Sequence, residues 1–217
     1  MDTVFRLTKE YPEAGAYATA YEMVDEKGTR VFPSFLAIPL HPWSGFIPDY
    51  FKSALGPPPV WSSAVTIPKK IFEELSMFPL GVRRGEDHYM WGKVALHYPI
   101  AFTTEIMAIY RMDATNRAGH SLAVEEFPLI EYVSDYLQSH ALDADKKYYL
   151  MEYLNMKQLA EAARCILSGD KVKAQYFLSQ AANTQEFRKR FLLLKICSHI
   201  PVTMYRSLHL MRNLVKQ

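Results

Sequence analysis

The spacing of apolar residues divides the chain into a mixed α/β first part and a helical second part. Residues 16 to 24 alternate aromatic and small side chains, a pattern typical of a strand. Lys27-Gly28 predicts a turn, and residues 29 to 37 can return as a second strand. The other elements predicted before residue 120 are a helix ending at residue 10, a short helix at 47–54, a strand at 60–66, helices at 69–76 and 86–96, and two strands or one bent strand at 97–110.

From residue 124 onward Pro and Gly become rare and apolar residues recur at helical spacing, which predicts four or five helices. Breaks are expected near residues 141–143, 168–170 and 183–184 and at Pro201. We therefore predict an α+β domain over residues 1–120, followed by an all-α helical bundle over residues 121–217.

Composition narrows the class of protein. The chain has 217 residues, of which 49% are hydrophobic and 22% charged, and this balance is ordinary for a globular protein with a buried core. No apolar run approaches the roughly 20 residues that a membrane span requires, and no signal peptide is recognisable. The sequence predicts a cytoplasmic protein, in which Cys165 and Cys197 are reduced, partly buried thiols.

The segment Arg83–Gly92 places two carboxylates at the start of a predicted helix. At 3.6 residues per turn, Asp87 shares a face with Met90, Trp91 and Val94, whereas Glu86 shares one with Tyr89, Met90 and Lys93. This spacing predicts that Asp87 points toward packed or cleft-lining surface and Glu86 toward solvent. Two interpretations are open: a carboxylate stabilised by the helix terminus can act as a general base, and acids in a first turn commonly only cap the helix.

The motif Phe78-Pro79-Leu80-Gly81, followed by residues 85–91, resembles the glycine-phenylalanine and Glu-Asp region of family 2 glycosyltransferases of the GT-A fold. Residues 12–21, 61–72 and 100–117 resemble other segments of that family, and they occur in the same order. The resemblance covers about residues 1–120. It implies a GT-A-like mixed α/β sheet domain, in which Asp87 deprotonates the acceptor hydroxyl during inverting sugar transfer.

The family's nucleotide-binding half, which ends in an Asp-x-Asp motif, has no counterpart in this sequence. Asp143-Ala144-Asp145 comes too late in the chain and favours a helix cap. The resemblance implies Mg²⁺ or Mn²⁺ as a cofactor of the complete enzyme, but the chain offers no evident ligand set for it. We expect the chain to be the acceptor-side half of such an enzyme, with an incomplete donor site.

The resemblance also suggests residues that would contact a nucleotide-sugar donor and a glycan or lipid-linked acceptor. Trp61 can contact a sugar ring or be simply buried, Ser62 and Ser63 can bind hydroxyl groups or backbone, and Arg83 and Arg84 can bind a diphosphate or pair with Glu86. The remaining candidates lie in the loop after the last strand: Arg111, Asn116 and Arg117 as substrate-binding residues, and His120 as a weak metal ligand.

The charge of the chain is unevenly distributed. The segment Phe187–Gln217 carries seven Lys or Arg residues and no acid, although the net charge of the whole chain is only +2. One interpretation is that this segment lies on an anionic membrane at the inner face; the other is that its apolar residues close the helical bundle. No pattern for nucleic-acid recognition is present. A non-catalytic protein- or membrane-interaction module derived from a glycosyltransferase is the alternative function.

Overall fold

A computed structural model describes residues 2–82, 84–114 and 128–204. Backbone contacts divide the chain into two compact units, residues 1–119 with 127–147, and residues 120–126 with 148–217. The first unit is a mixed α/β structure. Its elements are α1 (Asp2–Glu10), β1 (Ala16–Val24), β2 (Arg30–Val31), β3 (Ser44–Phe46), α2 (Tyr50–Ser53), β4 (Val65–Thr66), α3 (Lys69–Glu74), α4 (Glu86–His97), β5 (Ile100–Arg111), α5 (Pro128–Ser139) and the start of α6 (Ala144–Ser168).

The five strands form one sheet with β1 and β5 at its centre. These two strands run parallel, from the pair Ala16–Ile100 to the pair Val24–Arg111, with register shifts around Ala20. The strands β2 and β4 pair antiparallel with opposite ends of β1, and β3 pairs antiparallel with the first half of β5. The first halves of β1 and β5 are buried almost continuously, as expected for strands covered on both faces.

The prediction of β1 at residues 16–24 is confirmed residue for residue, and so is the turn at Gly28, whose φ of 80° suits glycine. Asp25 stabilises this turn by accepting hydrogen bonds from the backbone N–H groups of Lys27 and Thr29, and the Thr29 bond lowers the pKa of Asp25.

Two strand predictions were too long. The return strand is only Arg30–Val31, and the predicted strand at residues 60–66 is only Val65–Thr66. The reason for the second difference is a turn, in which the N–H of Ala64 donates to the carbonyl of Trp61 at 2.8 Å. Of the two alternatives predicted for residues 97–110, the single strand is confirmed, and it is β5 at Ile100–Arg111.

The second unit contains most of α6 together with α7 (Lys171–Gln180) and α8 (Arg188–Cys197). The predicted breaks between these helices are confirmed, and Asp143 caps α6 by accepting from the N–H of Lys146 at 2.9 Å. Buried residues of the three helices form one apolar core: Leu159, Ala162, Cys165, Ile166, Ala174, Phe177, Leu178, Ala181, Phe191, Leu194 and Cys197.

Candidate functional site

The helix α4 begins at a glycine that fixes the approach of the chain. Gly85, the residue before the helix, has φ 82° and ψ 3°, a left-handed conformation that side chains with a Cβ rarely adopt. Glu86 and Asp87 therefore occupy the first turn, where the unpaired N–H groups and the helix dipole favour negative charge.

Asp87 is half-buried and faces the turn before β4. The Ser62 hydroxyl donates to its Oδ2 at 3.5 Å, the long end of a hydrogen bond, and the N–H of His88 donates to its Oδ1 at 2.7 Å. The side of α4 that carries Asp87 continues into the core, because Met90, Trp91 and Val94 on the same side are buried. The carboxylate thus lies at the rim of packed structure, with one oxygen directed at Ser62.

The expectation that Glu86 points to solvent is wrong. Glu86 is half-buried, and its Oε2 is buried and accepts no hydrogen bond from the described residues. The physical reason is that the face it shares with Lys93 is covered. Lys93 is 5% exposed, donates its ammonium group to the Leu75 carbonyl, and lies 4.9 Å from the ring centre of Tyr89. Burial lowers the pKa of Lys93 accordingly.

The loop between α3 and α4 contacts Lys93 through the Leu75 carbonyl and the opposite face of α4 through Phe78. The ring of Phe78 packs edge-on against Phe72 at 5.2 Å and against Trp91 at 6.2 Å, and so holds the loop on α4. Two non-glycine residues of the loop, Ser76 and Met77, adopt positive φ of 62° and 55°. Leu80 is fully exposed at the tip of the loop, four residues before Arg84.

An aromatic cluster lies next to Ser62. The Trp61 ring is 5.3 Å from that of Tyr21 and 5.1 Å from that of Tyr110, and Tyr21 in turn contacts Phe35 at 5.8 Å. Burial, with a smaller contribution from Tyr110, raises the pKa of Tyr21 to about 12, so this phenol is neutral at physiological pH. Trp61 itself is half-buried, so part of its indole is open to a ligand.

The other side of this cluster borders a cavity of about 430 Å³, a volume typical of small-molecule sites. Its polar lining consists of Ser34 and the pair His41 and Thr104, whose Nδ1 and Oγ1 are 3.2 Å apart. The wall is otherwise mainly apolar: Ala20, Tyr21, Phe32, Pro33, Phe35, Ile38, Pro39, Leu40 and Ile106. Neither Tyr21, nor Tyr110, nor this cavity was predicted from the sequence, although Tyr17 and Tyr21, four residues apart in β1, were a possible signal.

The structure brings together only some of the residues predicted to bind substrate. Ser63 is exposed beside Ser62, Arg84 is half-buried just before α4, and Arg111 is bound to the Asp113 carboxylate at 3.2 Å. Bonding to Arg111 lowers the pKa of Asp113. The remaining candidates lie outside the described residues: Arg83, Asn116, Arg117 and His120.

The described residues do not provide a metal centre. Within residues 2–82, 84–114 and 128–204, no three His, Cys, Asp or Glu side chains are grouped so that they could hold a metal ion. Over the same residues, no helix is long and apolar enough to cross a membrane.

Comparisons with known proteins give no further identification. Neither the protein-family models, nor the curated proteins, nor the solved structures contain a match to this chain.

Proposed function

We propose that this chain is the acceptor-side part of an inverting glycosyltransferase of the GT-A type, similar to family 2, with Asp87 as its general base. The observation that carries the proposal is the 3.5 Å approach of Ser62 to Asp87. It joins two sequence segments that each resemble the family, residues 61–72 and 85–91, at one point beside an aromatic cluster.

In the proposed reaction, Asp87 accepts the proton of an acceptor hydroxyl while that oxygen attacks the anomeric carbon of a nucleotide sugar. The bond from the anomeric carbon to the diphosphate oxygen breaks, and its electron pair leaves with the nucleoside diphosphate. The Ser62 hydroxyl orients the carboxylate, because its hydrogen bond fixes one of the two oxygens. Proton acceptance by a positioned carboxylate contributes about 10²–10⁴-fold to such rates.

Two further features favour an acceptor cleft here. The exposed part of Trp61 offers an aromatic face to the C–H groups of a sugar ring, and the cavity beyond Tyr21 can receive an apolar part of the acceptor. We propose that the reaction takes place in the cytoplasm. We also propose that the donor site is completed either by another segment of the same polypeptide or by a separate protein.

The test is sugar transfer from radiolabelled nucleotide sugars by the complete protein with Mg²⁺ or Mn²⁺. Asp87→Asn should lower kcat by about 10²–10⁴-fold with little change in acceptor KM, because it preserves size and removes the proton acceptor. Glu86→Gln is the matched control, and it should lower kcat much less. Full activity of Asp87→Asn, or equal losses in both variants, would contradict the assignment.

A second measurement addresses the donor site. The isolated chain should not turn over nucleotide sugars at a useful rate, because catalysis requires both substrates to be positioned and the Asp-x-Asp half is missing from this sequence. Robust, metal-dependent turnover by the isolated chain would show that its donor site is complete.

A further inference from the structure

The helix α8 carries apolar side chains on two different faces. Phe191, Leu194 and Cys197 are buried in the core of the second unit. Leu192, Leu193 and Ile196 are on the other side and are 45%, 49% and 66% exposed. Packing in the core accounts for the three buried residues. It does not account for the three exposed ones.

The exposed apolar residues lie among positive charges. Arg188, Lys189, Arg190 and Lys195 are all exposed on the same helix, and the segment from Phe187 to Met204 contains no acidic residue. At 3.6 residues per turn, Lys189, Leu192, Leu193 and Ile196 follow one stripe of the solvent face. The solvent face of α8 therefore carries apolar side chains flanked by positive charges. The buried face of the same helix holds it in place.

We propose that this face of α8 is a docking surface for an anionic lipid bilayer. Charge complementarity identifies the partner: cations near an anionic leaflet are each attracted by its surface potential, and leucine and isoleucine side chains can enter the boundary between headgroups and acyl chains. An interfacial helix lies parallel to the bilayer, so a ten-residue helix with one exposed stripe is sufficient. This inference does not depend on the proposed sugar transfer.

The experiment is co-sedimentation of the full chain with phosphatidylcholine vesicles, either pure or with about 30 mol% phosphatidylserine. We expect binding to the anionic vesicles only, weakening as salt rises from about 0.1 M to about 0.5 M. Lys189→Gln with Lys195→Gln should weaken binding about 25-fold, at about fivefold per charge. Leu192→Gln with Ile196→Gln should weaken it about tenfold or more.

The control variants change equivalent exposed residues elsewhere in the chain. Lys69→Gln with Lys70→Gln removes two exposed charges in the first turn of α3, and Val172→Gln replaces a residue of α7 that is 81% exposed. Both controls should bind like the original chain, and circular dichroism should show all variants folded. The proposal is overturned by absence of binding to anionic vesicles, by equal binding to both vesicle types, by equal losses in the controls, or by binding of heparin or RNA without binding of vesicles.

Discussion

The buried carboxylate of Glu152 is predicted to hold the start of α8 against α6. Glu152 is 3% exposed, and its oxygens accept hydrogen bonds from the Thr184 hydroxyl at 2.6 Å and from the N–H groups of Gln185 and Glu186 at 2.9 and 3.3 Å. Thr184 is itself 1% exposed and accepts from the N–H of Phe187 at 3.2 Å. One carboxylate thus accepts hydrogen bonds from three donors of the loop between α7 and α8.

The cost of Glu152→Ala follows from these contacts. The Thr184 hydroxyl loses its acceptor and cannot reach water, and hydrogen bonds to a charged group contribute about 1.5–3 kcal/mol each. The backbone N–H groups of the exposed residues Gln185 and Glu186 can donate to water instead, so the loss of these two hydrogen bonds costs less free energy. We expect a loss of about 3–4 kcal/mol in the free energy of unfolding of the second unit, a large part of the total stability of a typical domain.

The assay is urea denaturation followed by circular dichroism, with amide hydrogen exchange to locate the effect in residues 184–197. Glu131→Ala, which removes an exposed carboxylate on α5, is the control and should change stability by less than about 0.5 kcal/mol. Thr184→Val should cost about 1–2 kcal/mol in the original chain and much less when Glu152 is already alanine. If Glu152→Ala loses less than about 1 kcal/mol, or if the two changes are additive, the carboxylate does not hold this loop.

Two further predictions concern packing and pH. Gly92→Ala should lower the free energy of unfolding, measured by urea denaturation, by about 1–3 kcal/mol, because the new Cβ would lie 2.7 and 2.8 Å from the methyl groups of Leu129. The double variant with Leu129→Ala should lose less stability than the sum of the two single variants. Simple additivity would contradict this. Burial raises the pKa of Cys165 from 9.0 to about 11, so the folded thiol keeps its proton where the unfolded thiol has ionised. This contribution to stability is present below about pH 9 and should fall by about 2 kcal/mol as pH rises to about 11. Cys165→Ala should lack this part of the decline, and parallel stability curves for the two proteins would refute the prediction.

The fold was predictable from the sequence where an element is specified by its own residues. The nine residues of β1 alternate clearly, and Asp143 and Asp170 mark the starts of α6 and α7 as capping residues. The strand β3 was missed because Ser44–Phe46 follows Pro39 and Pro42 and is extended only through its pairing with β5. Such tertiary pairing leaves no periodic signal in so short a segment.

The same distinction applies to the candidate site. The periodicity of residues 86–96 predicted a helix whose buried face includes Trp91 and Val94, and both are buried. It could not predict that the Leu75 carbonyl before α4 and the Tyr132 ring of α5 lie against Lys93 on the other face, which is why Glu86 was misplaced. The meeting of Tyr21, Trp61 and Tyr110 depends on three segments far apart in the chain, so no local pattern could indicate it.

The parallel pairing of β1 with β5 has a consequence for the order of folding. The central pair of the sheet joins Ala16 to Ile100, so a long stretch of chain must be closed into a loop before the sheet gains its main contacts. Trp61, Ser62 and Asp87 all lie within this loop. Non-local pairing of this kind slows folding, and a nascent chain that has not yet released β5 from the ribosome cannot close the sheet around its candidate site. Stalling synthesis before and after residue 111, with protease sensitivity as the readout, would reveal when this unit becomes resistant.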